Sequence, residues 1–108
     1  MTEQYLNKKL AEWAGFHLDT SMGYWYHELP YWYEDANPPN FTQSLDACFK
    51  WLVPKLQLDG WLVSLRGHEF KGYDVLLEFV PRDLDLIRID NNNPALTLCL
   101  AVEKLIDE

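Results

Sequence analysis

The chain has 108 residues, 48% of them hydrophobic, and a net charge of -8 from 17 acidic and 9 basic residues. That length fits one domain, and the apolar content fills a core without disulfide or metal staples. The acidic balance and the lack of any basic stripe argue against a nucleic-acid binder, because such a surface repels phosphate backbones.

Residues 3–14 read as a first helix, with Leu6, Leu10, Trp13 and Ala14 at helical spacing. Thr2 is the expected N-cap, and Gly15 the left-handed residue that ends it. Residues 16–41 hold neither period. Short extended pieces are expected at about 23–27 and 30–34, around His27-Glu28-Leu29, with Pro30 confining the second to an edge or a strand start.

Residues 42–56 carry a strong helical stripe of Leu45, Cys48, Phe49, Leu52, Val53 and Leu56. Thr42 is the expected N-cap, Asp46 suits the positive end of the dipole, and Pro54 predicts a kink. Alternation then predicts strands at 61–66, 73–80 and 84–90, with turns at Gly67–Gly72 and Pro81–Asp83. Links this short favour an antiparallel meander. Residues 94–107 form the last helix, capped by Asn93 and opened by Pro94, with Ala95, Leu98, Cys99, Val102, Leu105 and Ile106 in one stripe. The fold class is therefore α+β: three main helices and an antiparallel sheet of at least three strands, in the order α-(short ββ)-α-β-β-β-α. A layered α/β sandwich covers the apolar stripes of all three helices.

Three strings stand out together: Leu10-Ala11-Glu12-Trp13-Ala14-Gly15-Phe16, Pro39-Asn40-Phe41-Thr42-Gln43-Ser44-Leu45-Asp46-Ala47-Cys48-Phe49-Lys50-Trp51-Leu52, and Asn93-Pro94-Ala95-Leu96-Thr97-Leu98-Cys99-Leu100-Ala101. Across most of its length the chain resembles the phage ABA sandwich domain family, small proteins of bacteriophages and prophages. The resemblance implies an α-β-α sandwich and a place in the cytoplasm of a bacterial host. It lies in packing and capping residues, so it hands down no activity and no site residue.

The densest chemical signal is aromatic. Six of the ten residues from Tyr24 to Tyr33 are Tyr or Trp, and no Lys or Arg occurs between Lys9 and Lys50. The candidate binding residues are Tyr24, Trp25, Tyr26, Tyr31, Trp32, Tyr33, Glu34 and Asp35. Rings with polar tips beside acids suit a cationic partner surface. The plain alternative is a loop that packs its rings into the core.

The remaining motifs are weaker. His17, His27 and His68 each sit near an acid but on separate loops, and read as surface histidines rather than metal ligands. Glu34-Asp35 and Asp83 with Asp85 read as solvated or capping carboxylates. Cys48 and Cys99 fall on apolar helix faces: two reduced core thiols, or a disulfide between the helices. Phosphate-loop, dinucleotide and nucleophile-elbow signatures are absent, and no cofactor is implied. Nothing in the N-terminal residues reads as a signal peptide, and no apolar run is long enough to span a membrane.

The expectation is a non-enzymatic cytoplasmic protein that binds a host or phage protein, with a self-associating homodimer as a further use of the patch. The alternative is a small-ligand binder that sequesters a nucleotide signal, using Arg66, Lys71, Arg82 or Arg88 for phosphate.

Overall fold

The computed structural model describes residues 2–28, 32–68, 72–79 and 86–107. Helix α1 spans Glu3–Trp13. Thr2 caps it by accepting from the Tyr5 N–H, and Gly15 ends it at φ +97°, a conformation glycine adopts without strain.

The second helix differs in two ways from the sequence reading. It begins as α2 (Leu45–Ala47), passes through a π segment at Cys48–Leu52 and continues as α3 (Val53–Leu58). Its N-cap is Ser44, whose hydroxyl accepts from the Ala47 N–H at 3.1 Å, and not Thr42. Thr42 is fully buried and already engaged. Its N–H donates to Asn7 Oδ1 at 3.1 Å, its hydroxyl donates to Asn40 Oδ1, and its carbonyl accepts from Asn93 Nδ2.

The expected break at Pro54 takes the form of the π segment just before it. The Val53 N–H reaches back five residues to the Cys48 carbonyl. A widened turn next to a residue that cannot donate is a common way to absorb a proline. Each residue advances a helix by about 100°, so the wider turn changes which residue faces inward within it, while Cys48, Leu52, Val53 and Leu56 stay buried as the stripe predicts. Phe49, expected in the stripe, is 47% exposed, and Trp51 takes the inward place at 8%.

The aromatic excursion folds into a sheet of its own. Strands β1 (His17–Asp19), β2 (Tyr24–His27) and β3 (Tyr33–Asp35) pair antiparallel in that order. The sequence reading expected two of these strands and missed β1. Pro30, like residues 29–31 generally, lies outside the described residues. The meander is present as expected: β4 (Trp61–His68), β5 (Gly72–Phe79) and β6 (Leu86–Asn91) form a second antiparallel sheet in chain order. The expected turn at 81–83 lies outside the described residues, and β4 runs on to His68 where a turn was expected.

Helix α4 (Pro94–Ile106) starts at Asn93, whose side chain accepts from the Ala95 and Leu96 N–H groups. It packs on the second sheet, where Val75, Leu77 and Ile87 are buried, and on α1 through a core that includes Leu6, Leu10, Ala11, Leu98 and Val102. An edge-to-face contact of Phe16 with Trp51 (centroids 4.8 Å apart) ties the first sheet to the π segment. Cys48 and Cys99 are buried free thiols with their sulfurs 3.8 Å apart. Among the described residues, no helix is long and apolar enough to cross a membrane.

Candidate functional site

Register divides the aromatic segment between two faces. His17 pairs with Tyr26 and Tyr26 with Glu34; Asp19 pairs with Tyr24. Residues opposite one another in antiparallel strands point to the same side, and alternate residues share a face. One face of the first sheet therefore carries His17, Asp19, Tyr24, Tyr26 and Glu34. The other carries Leu18, Trp25, His27, Tyr33 and Asp35.

The second face packs on the core through Trp25, His27 and Tyr33, with Leu18 and Asp35 exposed at its ends. Trp25 is 4% exposed. Tyr33 packs edge-on against Phe16 and Trp51, and its hydroxyl donates to the Asn37 carbonyl at 2.6 Å. His27 lies against the same two rings, with centroids 4.8 Å from Phe16 and 4.9 Å from Trp51. Trp25 and Tyr33 are thus packing residues, which corrects their reading as binding candidates. His27 is half-buried rather than a surface histidine. Asp35 accepts from the Asn37 N–H at 3.0 Å and serves a turn. Glu34 and Asp35 do not act as a pair, because adjacent strand residues face opposite ways. Trp32, just before β3, is 66% exposed. Tyr31 lies outside the described residues.

The first face is a row of rings edged with acids. The His17 and Tyr26 centroids are 5.4 Å apart, and those of Tyr26 and Tyr24 are 6.0 Å apart at 64°. Asp19 closes the β1–β2 turn, its carboxylate accepting from the Ser21 hydroxyl at 2.7 Å and from the Ser21 and Met22 N–H groups. The Ser21 hydroxyl and the Met22 N–H hold the Asp19 carboxyl below its usual range, so it stays ionised. The Tyr24 hydroxyl is pushed up, first by desolvation and then by the negative charges of Asp19 and Glu34. Tyr24 therefore stays a neutral hydrogen-bond donor in a negative field. Asp19 and His17 come from the strand that the sequence reading missed; an aspartate four residues before a glycine is the turn signal that marks it.

An opening of about 410 Å³ beside this face is lined by Gly15, His17, Tyr26, His27 and Glu28. The Nδ1 atom of His27 is buried and has no hydrogen-bond partner among the described residues. A larger opening of about 540 Å³ lies between α1 and residues 37–43. It contains the Asn7–Asn40–Thr42 network, whose amide and hydroxyl groups bond one another.

The cations named for a phosphate lie elsewhere. Arg66 and Arg88 are on the second sheet and both bind Asp74, which is fully buried. Arg66 does so through Nε at 3.1 Å and Nη2 at 2.8 Å. Neither arginine lines either opening. Lys71 and Arg82 lie outside the described residues, as do Asp83 and Asp85 and the side chain of His68. Among the described residues, no cluster of three His, Cys, Asp or Glu side chains is placed to hold a metal ion.

No protein-family model and no curated protein matches the chain. Its fold matches that of a phage protein from Bacillus cereus ATCC 14579, known from a 2.0 Å crystal structure. The TM-score is 0.71 over 100% of this chain and 90% of that one, at 16% sequence identity. At that identity the likeness establishes a shared fold.

Proposed function

We propose that the chain is a phage or prophage accessory protein of the ABA sandwich type, and that it acts without catalysis by binding another protein in the cytoplasm of the bacterial host. The phage reading is supported by the fold shared with the Bacillus cereus phage protein and by the sequence strings at 10–16, 39–52 and 93–101. The binding surface is the outward face of the first sheet. One observation carries this reading: His17, Tyr24 and Tyr26 form a row of rings with Asp19 and Glu34 beside them, in a stretch of 40 residues with no Lys or Arg. Trp32 extends the aromatic surface. Such a face attracts Arg or Lys side chains through ring faces and carboxylates together, each cation–π contact contributing about 0.5–2 kcal/mol.

The test is a pull-down from host lysate with the native protein and with a Tyr24→Ala/Tyr26→Ala variant. The native protein should retain a partner rich in surface Arg or Lys, less of it as salt rises, and the variant should lose it. Identical partner sets for the two proteins would sink the proposal.

A second reading, a small-ligand binder, draws on the opening beside His27 and on its Nδ1, which has no partner among the described residues. Thermal-shift measurement against nucleotides separates the two, since ligand at 100 times its Kd adds about 2.7 kcal/mol of stability.

A further inference from the structure

Cys48 opens the π segment and Cys99 lies mid-way along α4. They are the only two cysteines of the chain. Neither side chain has any exposed surface, and their sulfurs are in contact at 3.8 Å. A disulfide bond is about 2 Å long, so closure needs the sulfurs to approach by a little under 2 Å. The Cys48 thiol lies 3.2 Å from the Phe41 carbonyl and 4.0 Å from that of Ala95, and these two acceptors keep it beside its partner.

We propose that Cys48 and Cys99 form a reversible intramolecular disulfide, a modification that ties the second helix to α4 and encloses the whole second sheet in one covalent loop. The oxidant is a low-molecular-weight disulfide. The Cys48 sulfur attacks it, forming a mixed disulfide and releasing one reduced thiol. The Cys99 sulfur then displaces the second, forming the Cys48–Cys99 bond. Two protein thiols lose two electrons and two protons, and the oxidant gains both pairs as two thiols.

Burial sets the rate. The hydrogen bond between the two thiols, with burial second, raises the Cys99 thiol well above its usual range, and exchange proceeds through the thiolate. The reaction therefore waits on local opening. The π segment is the place for it, since Phe49, next to Cys48, is 47% exposed. The cross-link spans 51 residues, and loops of that length give disulfides their larger stabilising effects.

The experiment incubates the fully reduced chain with glutathione disulfide under native conditions, then denatures and alkylates it for intact-mass measurement. The expected product is a monomer about 2 Da lighter than the reduced chain, closed to alkylation until dithiothreitol is added, with a Tm raised by at least about 5 °C. A Cys99→Ser variant should show no such loss of mass and at most one glutathione adduct. Wild-type protein that still alkylates at both cysteines after prolonged exposure overturns the proposal. So does wild-type protein that yields only glutathione adducts or disulfide-linked dimers. The wild-type masses decide the matter even if the variant fails to fold.

Discussion

The two sheets of this protein handle their outward faces differently. In the second sheet, with strands of eight, eight and six residues, the inward side packs on α4. Its opposite side holds the charged clamp in which Asp74 is buried beneath Arg66 and Arg88. In the first sheet, with strands of three, four and three residues, the inward side is held by Phe16 and Trp51. Its other side has rings and carboxylates with no cation from its own segment to neutralise them. The buried Asp74 of the second sheet is paired with arginines of its own sheet, whereas the carboxylates of the first face outward with no such cation. That contrast is the reason to place recognition on the first sheet and stability on the second.

The contrast is broken or sharpened by substitution. Trp25 and Tyr26 are adjacent on β2 but face opposite ways. Trp25→Ala should destabilise the fold by about 3–5 kcal/mol in denaturant unfolding. Tyr26→Ala should cost about 1 kcal/mol, since its half-buried ring lies on the outward face. Equal losses for the two would mean that the register of the first sheet is wrong. In the second sheet, Asp74→Asn should cost about 1–3 kcal/mol by thermal unfolding, because a buried acceptor of two guanidinium groups becomes neutral. Both arginines are more than half exposed and recover hydration, which keeps the loss below that of a fully buried pair. Asn93→Ala should cost about 1–2 kcal/mol, since one side chain both caps α4 and donates to the Thr42 carbonyl.

The smallest effect is on pH dependence. The Asp19 carboxyl is lowered in the folded state by the Ser21 hydroxyl and the Met22 N–H. A lowered folded value means stability that is present above the ordinary aspartate pKa and lost as pH falls through the lowered one. Native protein should therefore exceed Asp19→Asn in Tm near neutrality, and the two should converge in acid. A gap that widens below pH 4 would contradict the assignment.

Legibility in the sequence followed segment length. The 61–91 meander was plain because eight alternating residues define a face, and α4 was plain because Asn93-Pro94 marks its start. Three features were hidden. Ser44 replaced Thr42 as a cap because Asn7 and Asn93, both distant in sequence, and the nearby Asn40 converge on Thr42. The π segment turned Phe49 outward and Trp51 inward while the rest of the stripe held, an exchange that no fixed period anticipates. Strand β1 escaped because its three residues show too few alternations to mark a strand. The aromatic segment was visible as a cluster, but its division into Trp25 and Tyr33 inward, Tyr24 and Tyr26 outward, depends on pairing with His17–Asp19.

The most direct measurement is amide and aromatic NMR mapping while a short arginine-rich peptide is titrated into the native protein. Shift changes should concentrate on His17, Asp19, Tyr24, Tyr26 and Glu34, and should weaken as salt is added. Changes centred on Arg66, Asp74 and Arg88, or none anywhere on the first sheet, would contradict the assignment of recognition to that face.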